Sequence, residues 1–122
     1  LTAQPDVLPY FGGGPGGLAM ALLLGAVVAP VAEETLFRGY VYPGLVHSWG
    51  RTAGLLASAA AFALLHGFSA VIPPIFVIGI ILALSYDLTD SLWPAIVIHA
   101  LMNALAFVSS YLIEIGAPGL GV

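Results

Sequence analysis

The stretch LAMALLLGAVVAPVAEETLFRGYVY, Leu18 to Tyr42, decides what kind of molecule this is. Fifteen residues, Leu18 to Ala32, pass without a charged side chain, and Glu33, Glu34 and Arg38 then follow within six positions. Only eight of the 122 residues are Asp, Glu, Lys or Arg, so three of the eight are spent here. Moving a carboxylate into a low-dielectric interior costs several kcal/mol even after relaxation. A membrane chain that keeps such groups usually uses them.

Working outward, the rest of the chain is as apolar. It is 61% hydrophobic and 7% charged, with a mean hydropathy of +1.10. A soluble domain carries roughly 25% charged residues, so the solvent around most of this chain is read as lipid. The length allows one domain. There is no cysteine, which excludes disulfides and thiolate chemistry. There is no lysine, and the two arginines, Arg38 and Arg51, cannot make the basic stripe that nucleic acid requires. Residue 1 is leucine, which points to a fragment or a processed product. No basic region precedes the first apolar stretch, which argues against a signal peptide.

The expected organisation is a flexible entry over residues 1–17, a transmembrane core over 18–113 and a tail over 114–122. Four apolar segments are expected. The first runs from Leu18 to about Tyr42, where Pro43-Gly44 should stop a helix, with Pro30 removing a backbone hydrogen bond and kinking it before Glu33. The others run from about Thr52 to His66, from Pro73-Pro74 to about Tyr86, and from Leu92-Trp93-Pro94 to about Ile113, where Pro94 suits a first helical turn. Spanning a bilayer takes roughly 20 residues, and the second and third fall short of that. Tyr10, Trp49, Tyr86 and Trp93 lie near segment ends, as interfacial aromatics do. The fold class is therefore all-α: a multi-pass integral membrane bundle of about four apolar helices around a polar cavity, with the lipid bilayer as its surroundings.

Within those segments the strong polar groups are Glu33, Glu34, Arg38, His66, His99 and Asn103. Glu34 and Arg38 are four apart on one helix face and read as an ion pair. Glu33 sits about 100° around the helix with no partner nearby in sequence, and desolvation raises a carboxylate pKa toward what a general base needs. A lone His66 at a helix end is ordinarily a capped or solvated residue. His99 and Asn103 share a face, and interhelical hydrogen bonding would account for them. Depth favours a joint site. Measured from the side carrying the 43–51 and 87–91 loops at 1.5 Å per residue, Glu33 lies roughly 14 Å down, His66 about 21 Å, His99 about 12 Å and Asn103 about 18 Å. Arg51 places that side in the cytoplasm by the positive-inside rule and would open the site toward the cytosol.

Two histidines, a carboxylate and an amide can hold a divalent metal such as zinc. They can also hydrolyse an amide without one: Glu33 and His66 would deprotonate water, and His99 and Asn103 would donate to the oxyanion. No serine triad and no His-Glu-x-x-His motif is present. Glu33-Glu34-x-x-x-Arg38, Phe62-x-x-x-His66 and His99-x-x-x-Asn103, in that order, resemble the three-motif signature of the CAAX protease and bacteriocin-processing (CPBP/Abi) family of intramembrane endopeptidases. The resemblance implies an all-helical membrane fold enclosing a cavity. It implies Glu33 and His66 as water activators, His99 and Asn103 at the oxyanion, Glu34 and Arg38 in support, and a peptide or prenylated protein as substrate. It leaves open whether the cofactor is none or a divalent metal held by Glu33, His66, His99 and Asn103. Family members carry further membrane helices before the first motif, and almost nothing precedes Leu18 here. The alternative functions are a non-catalytic immunity or scaffold protein, whose polar residues only hold the bundle together, and a proton or cation pathway.

Overall fold

A computed structural model describes residues 7–67 and 71–116. Of the expected entry it covers residues 7–17, and of the expected tail only 114–116; the remaining positions of both lie outside the described residues. Four helices follow a short 3-10 turn at Leu8–Phe11: α1, Gly14–Trp49; α2, Arg51–Leu65; α3, Ile72–Thr89; and α4, Trp93–Glu114. No strand occurs among the described residues.

The first helix begins earlier and ends later than its sequence suggests. Gly14 to Gly17 are already helical, with Pro15 in the first turn, where its missing N–H costs nothing. The Pro43-Gly44 stop is overturned: α1 runs through both residues to Trp49. Both internal prolines are met by π-helical turns, Leu24–Val28 before Pro30 and Phe37–Val41 before Pro43. The amide of Ala29 reaches back five residues to the Leu24 carbonyl, and that of Tyr42 to the Phe37 carbonyl. Widening the turn lets the proline ring sit in the helix, whereas ending the helix there would strand backbone groups in an apolar setting.

Glycine makes the real stop. Gly50 adopts φ +84°, which a side chain resists, and its N–H closes on the Val46 carbonyl at 2.9 Å. The chain folds straight back, so closely that a Cβ on Gly54 would lie 2.6 Å from the Val46 nitrogen. At the other hairpin Asp90 caps α3 in the left-handed region, one of the few side chains to tolerate it. Arg51 Nε meets Asp87 Oδ2 at 2.9 Å across the two hairpins, so both lie at one end of the bundle.

The core takes one residue from each helix: Phe37, Phe62, Leu82 and Ala95. Phe37 and Phe62 meet edge to face at 5.2 Å. Helices α2 and α3 pack backbone to backbone, because a Cβ on Gly79 would stand 3.1 Å from the Ala59 Cα. The outer surface is apolar. Leu23, Val27, Leu101 and Leu105 are all more than half exposed. In α4 the most apolar window has a mean hydropathy of 1.9 while only 6% of it is buried inside the protein. Such a surface suits lipid, and α1, α3 and α4 are each long and apolar enough to cross a membrane. The fold is an all-α bundle of the membrane class. At 15 residues α2 is the short member, about 22 Å long, and its end brings His66 into the interior.

Candidate active site

Beside the core lies a buried polar cluster seeded by the i, i+4 pair of α1. Arg38 Nη1 donates to Glu34 Oε1 at 3.0 Å, and both side chains are almost wholly inaccessible. Arg38 Nη2 donates to the Gly79 carbonyl on α3, also at 3.0 Å. Its guanidinium lies 4.4 Å from the centre of the Phe62 ring on α2, within cation–π range. The same Glu34 Oε1 meets His99 Nδ1 of α4 at 2.6 Å. One ion pair therefore ties all four helices together. The expected pairing of Glu34 with Arg38 is present, and the bond from Glu34 to His99 is an addition that spacing along one helix could not show.

That bond orients His99. A carboxylate paired with a guanidinium accepts, so Nδ1 carries the proton and Nε2 is turned toward the other glutamate. His99 Nε2 lies 3.5 Å from Glu33 Oε2, an electrostatic contact longer than a hydrogen bond. His66 is held in a similar way. It caps α2, and its Nδ1 lies 2.8 Å from the Phe62 carbonyl, which can only accept. Nε2 of His66 is thus left available. The ring lies tilted against Phe62 with centroids 4.7 Å apart, and Phe62 also meets His99 edge to face at 5.6 Å. Phe62 is the apolar floor under Arg38 and both histidines. The sequence placed it in a motif without a role; its position one turn before His66 was the available signal.

Glu33, His66 and His99 each present a ligand atom, and these atoms all lie within 4.8 Å of one another. Glu33 Oε2 is buried without a hydrogen-bond partner. The three residues line one cavity of about 760 Å³ together with Asn103. The Asn103 amide nitrogen donates to the Gly25 carbonyl of α1 at 2.9 Å. That carbonyl cannot donate, so the group facing it is the NH₂, and its second N–H remains available. The structure thus gathers Glu33, His66 and His99, sets Asn103 in the same cavity with one amide proton committed, and keeps Glu34 and Arg38 beneath them.

The cavity lining continues down α4 from His99 past Ala106 and Ser110 to Glu114, and takes in Val7. Fifteen helical steps make this about 22 Å. It leads away from the Arg51 end, contrary to the expectation that the site opens there. The reason is packing: Phe37, Leu82 and Ala95 lie on the Arg51 side of the site and close it.

A neutral histidine with its outer nitrogen tied by a carboxylate or a carbonyl presents its inner lone pair, as metal-binding histidines do. Glu33, His66 and His99 therefore fit a divalent ion chemically, and the unpartnered Glu33 oxygen supplies the anionic ligand. The same three groups fit a polarised water.

Over residues 15–105 the chain matches the family described as Type II CAAX prenyl endopeptidase Rce1-like. It is similar to the UPF0177 protein YxdF of Lactococcus lactis subsp. lactis (strain IL1403), at 29% identity over 87 residues. That alignment covers 70% of this chain and 47% of the relative, so the chain spans about half the length of the curated relative it matches. No solved structure matches it. The matched range holds every residue of the cluster, from Glu33 to Asn103, and the chain belongs to the Rce1-like type II CAAX prenyl endopeptidase family.

Proposed function

We propose that this protein is a multi-pass intramembrane endopeptidase that hydrolyses a peptide bond of a membrane-associated substrate. One observation carries the reading: a carboxylate and two imidazoles, their ligand atoms within 4.8 Å of one another, line a cavity in an apolar bundle. Glu33, assisted by His66 Nε2, takes a proton from a water lying between them. The hydroxide adds to the scissile carbonyl. His99, acting as an imidazolium that keeps Nδ1–H on Glu34 and presents Nε2–H, and the free Asn103 N–H donate to the oxyanion, each such donor being worth roughly 3–4 kcal/mol. The proton held by Glu33 then passes to the leaving amine as the C–N bond breaks. Glu34 accepts from His99 Nδ1 and so orients the ring, and Arg38 holds Glu34 in place.

A divalent ion such as zinc, held by Glu33, His66 and His99, would supply Lewis-acid activation of the same water. The substrate is a peptide or a prenylated protein tail. Its apolar part would lie in the groove beside Met102, Ala106 and Ile113, which line the cavity below the cluster.

The test is cleavage of a prenylated and an unprenylated peptide by purified protein in detergent, with metal analysis of the active sample. Glu33→Gln should lower turnover by about 10²–10⁴ while leaving the fold intact. Full turnover in a folded Glu33→Gln protein would reject the endopeptidase reading, and protection of a host cell by that inactive variant would favour a binding protein instead.

A further inference from the structure

Asn103 bonds to a carbonyl that an ordinary helix would not leave open. In the π turn of α1 the Ala29 amide donates to Leu24, five residues back. The next amide in that register would belong to residue 30 and would reach the Gly25 carbonyl. Residue 30 is proline and has no N–H. The Gly25 carbonyl is thus left without its in-register donor, and the Asn103 amide fills the position at 2.9 Å.

Two further features make this a built arrangement. Residue 25 is a glycine, and a Cβ there would lie 2.5 Å from the ring of Phe107, one turn beyond Asn103 on the same helix. The missing side chain lets α4 come close enough for a short asparagine to reach the α1 backbone. Pro30, for its part, is buried in the bundle and lies three residues before Glu33. The break in the α1 ladder is therefore placed where it serves the site.

We infer that Pro30 is a positioning residue for Asn103: by withholding an amide it turns the Gly25 carbonyl into a fixed acceptor that holds the Asn103 amide in the cavity. The inference rests on the proposed hydrolytic site for its consequence in turnover, but the bond itself can be read separately. Restoring an N–H at position 30 supplies a competing donor from within α1, and the Asn103 amide is released to rotate.

The chain makes the measurement simple, because Asn103 is its only asparagine. Protein labelled with ¹⁵N at asparagine gives one side-chain amide pair. In the parent protein one of its two protons should be shifted and slow to exchange. In Pro30→Ala both shift and protection should collapse, while kcat falls roughly tenfold or more, up to the 10²–10³ that complete loss of an oxyanion donor costs, and KM stays within about twofold because substrate binding is untouched. Pro30→Ala adds a helix-favouring residue, and Pro30→Ser is the second variant should it misfold. In an Asn103→Ala background Pro30→Ala should add no further loss.

An Asn103 amide unchanged in both proline variants would overturn the inference. So would a released amide with unchanged kcat. A parent protein with no peptidase activity at all would instead reject the proposed function, and the amide resonances alone would then decide whether Pro30 holds Asn103.

Discussion

At the scale of single residues, the two adjacent glutamates have different surroundings and so different expected mutant behaviour. Glu33 is about one-third exposed in the cavity, and Glu34 is completely buried. Loss of a general base costs about 10²–10⁴ in rate. Glu33→Gln should therefore lose turnover on that scale, with a thermal midpoint close to the parent's. Arg38→Ala should do the reverse in part: it removes the guanidinium partner of the buried Glu34 and leaves it only its bond to His99, and breaking such a buried pair costs about 3–5 kcal/mol of stability. Denaturant unfolding in detergent would measure this, and a loss below about 1 kcal/mol would contradict the buried-pair account. Arg51 is the control. Its side chain is 65% exposed in its pair with Asp87, and such surface pairs contribute about 0–1 kcal/mol. Arg51→Ala should leave cleavage unchanged and stability nearly so.

Among the elements, helix contacts are set by small residues and by prolines in widened turns. Gly79 lies against Ala59 with no room for a side chain, and its carbonyl also receives Arg38. Gly79→Val should push α2 from α3, tilt His66 away from Glu33, and lower both the unfolding midpoint and turnover. Overpacking of this kind costs about 1–3 kcal/mol. Phe62→Ala should be worse, about 3–5 kcal/mol, because the ring supports Arg38, His66 and His99 together. Parallel loss of stability and rate in both variants would show that the site depends on this packing, and a stable, inactive Phe62→Ala would assign the ring a direct role in turnover.

For the whole molecule the prediction concerns how the bundle lies in a bilayer. The hairpins at Gly50 and Asp90 are at one end, joined by Arg51 and Asp87, and the ends of α2 and α4 are at the other. The chain has no cysteine, so single cysteines report cleanly. Ser48→Cys and Asp90→Cys in sealed vesicles should label from the same side with a membrane-impermeant reagent, and Gly67→Cys and Gly116→Cys from the other. Labelling of all four from one side would rule out the proposed multi-pass arrangement. The cavity leads toward the Gly67 and Gly116 end, so substrate access is expected there.

The sequence alone determined the solvent and the number and type of the elements. Charge too sparse for a water-facing surface and long continuous apolar runs define a helical membrane bundle, since a backbone in lipid must be bonded internally and a continuous apolar run does this as a helix. Residue type and depth along those helices also marked Glu33, His66, His99 and Asn103 as a group, and i, i+4 spacing paired Glu34 with Arg38. Tertiary structure decided what depends on contacts between helices. It continued α1 through Pro43, because a π turn absorbs the proline without exposing backbone. It closed the Arg51 end with Phe37, Leu82 and Ala95 and led the cavity the other way. It joined Glu34 to His99, and Asn103 to the carbonyl that Pro30 leaves open. No spacing along one helix encodes these bonds, because each depends on how closely two helices approach and how they are turned about their axes.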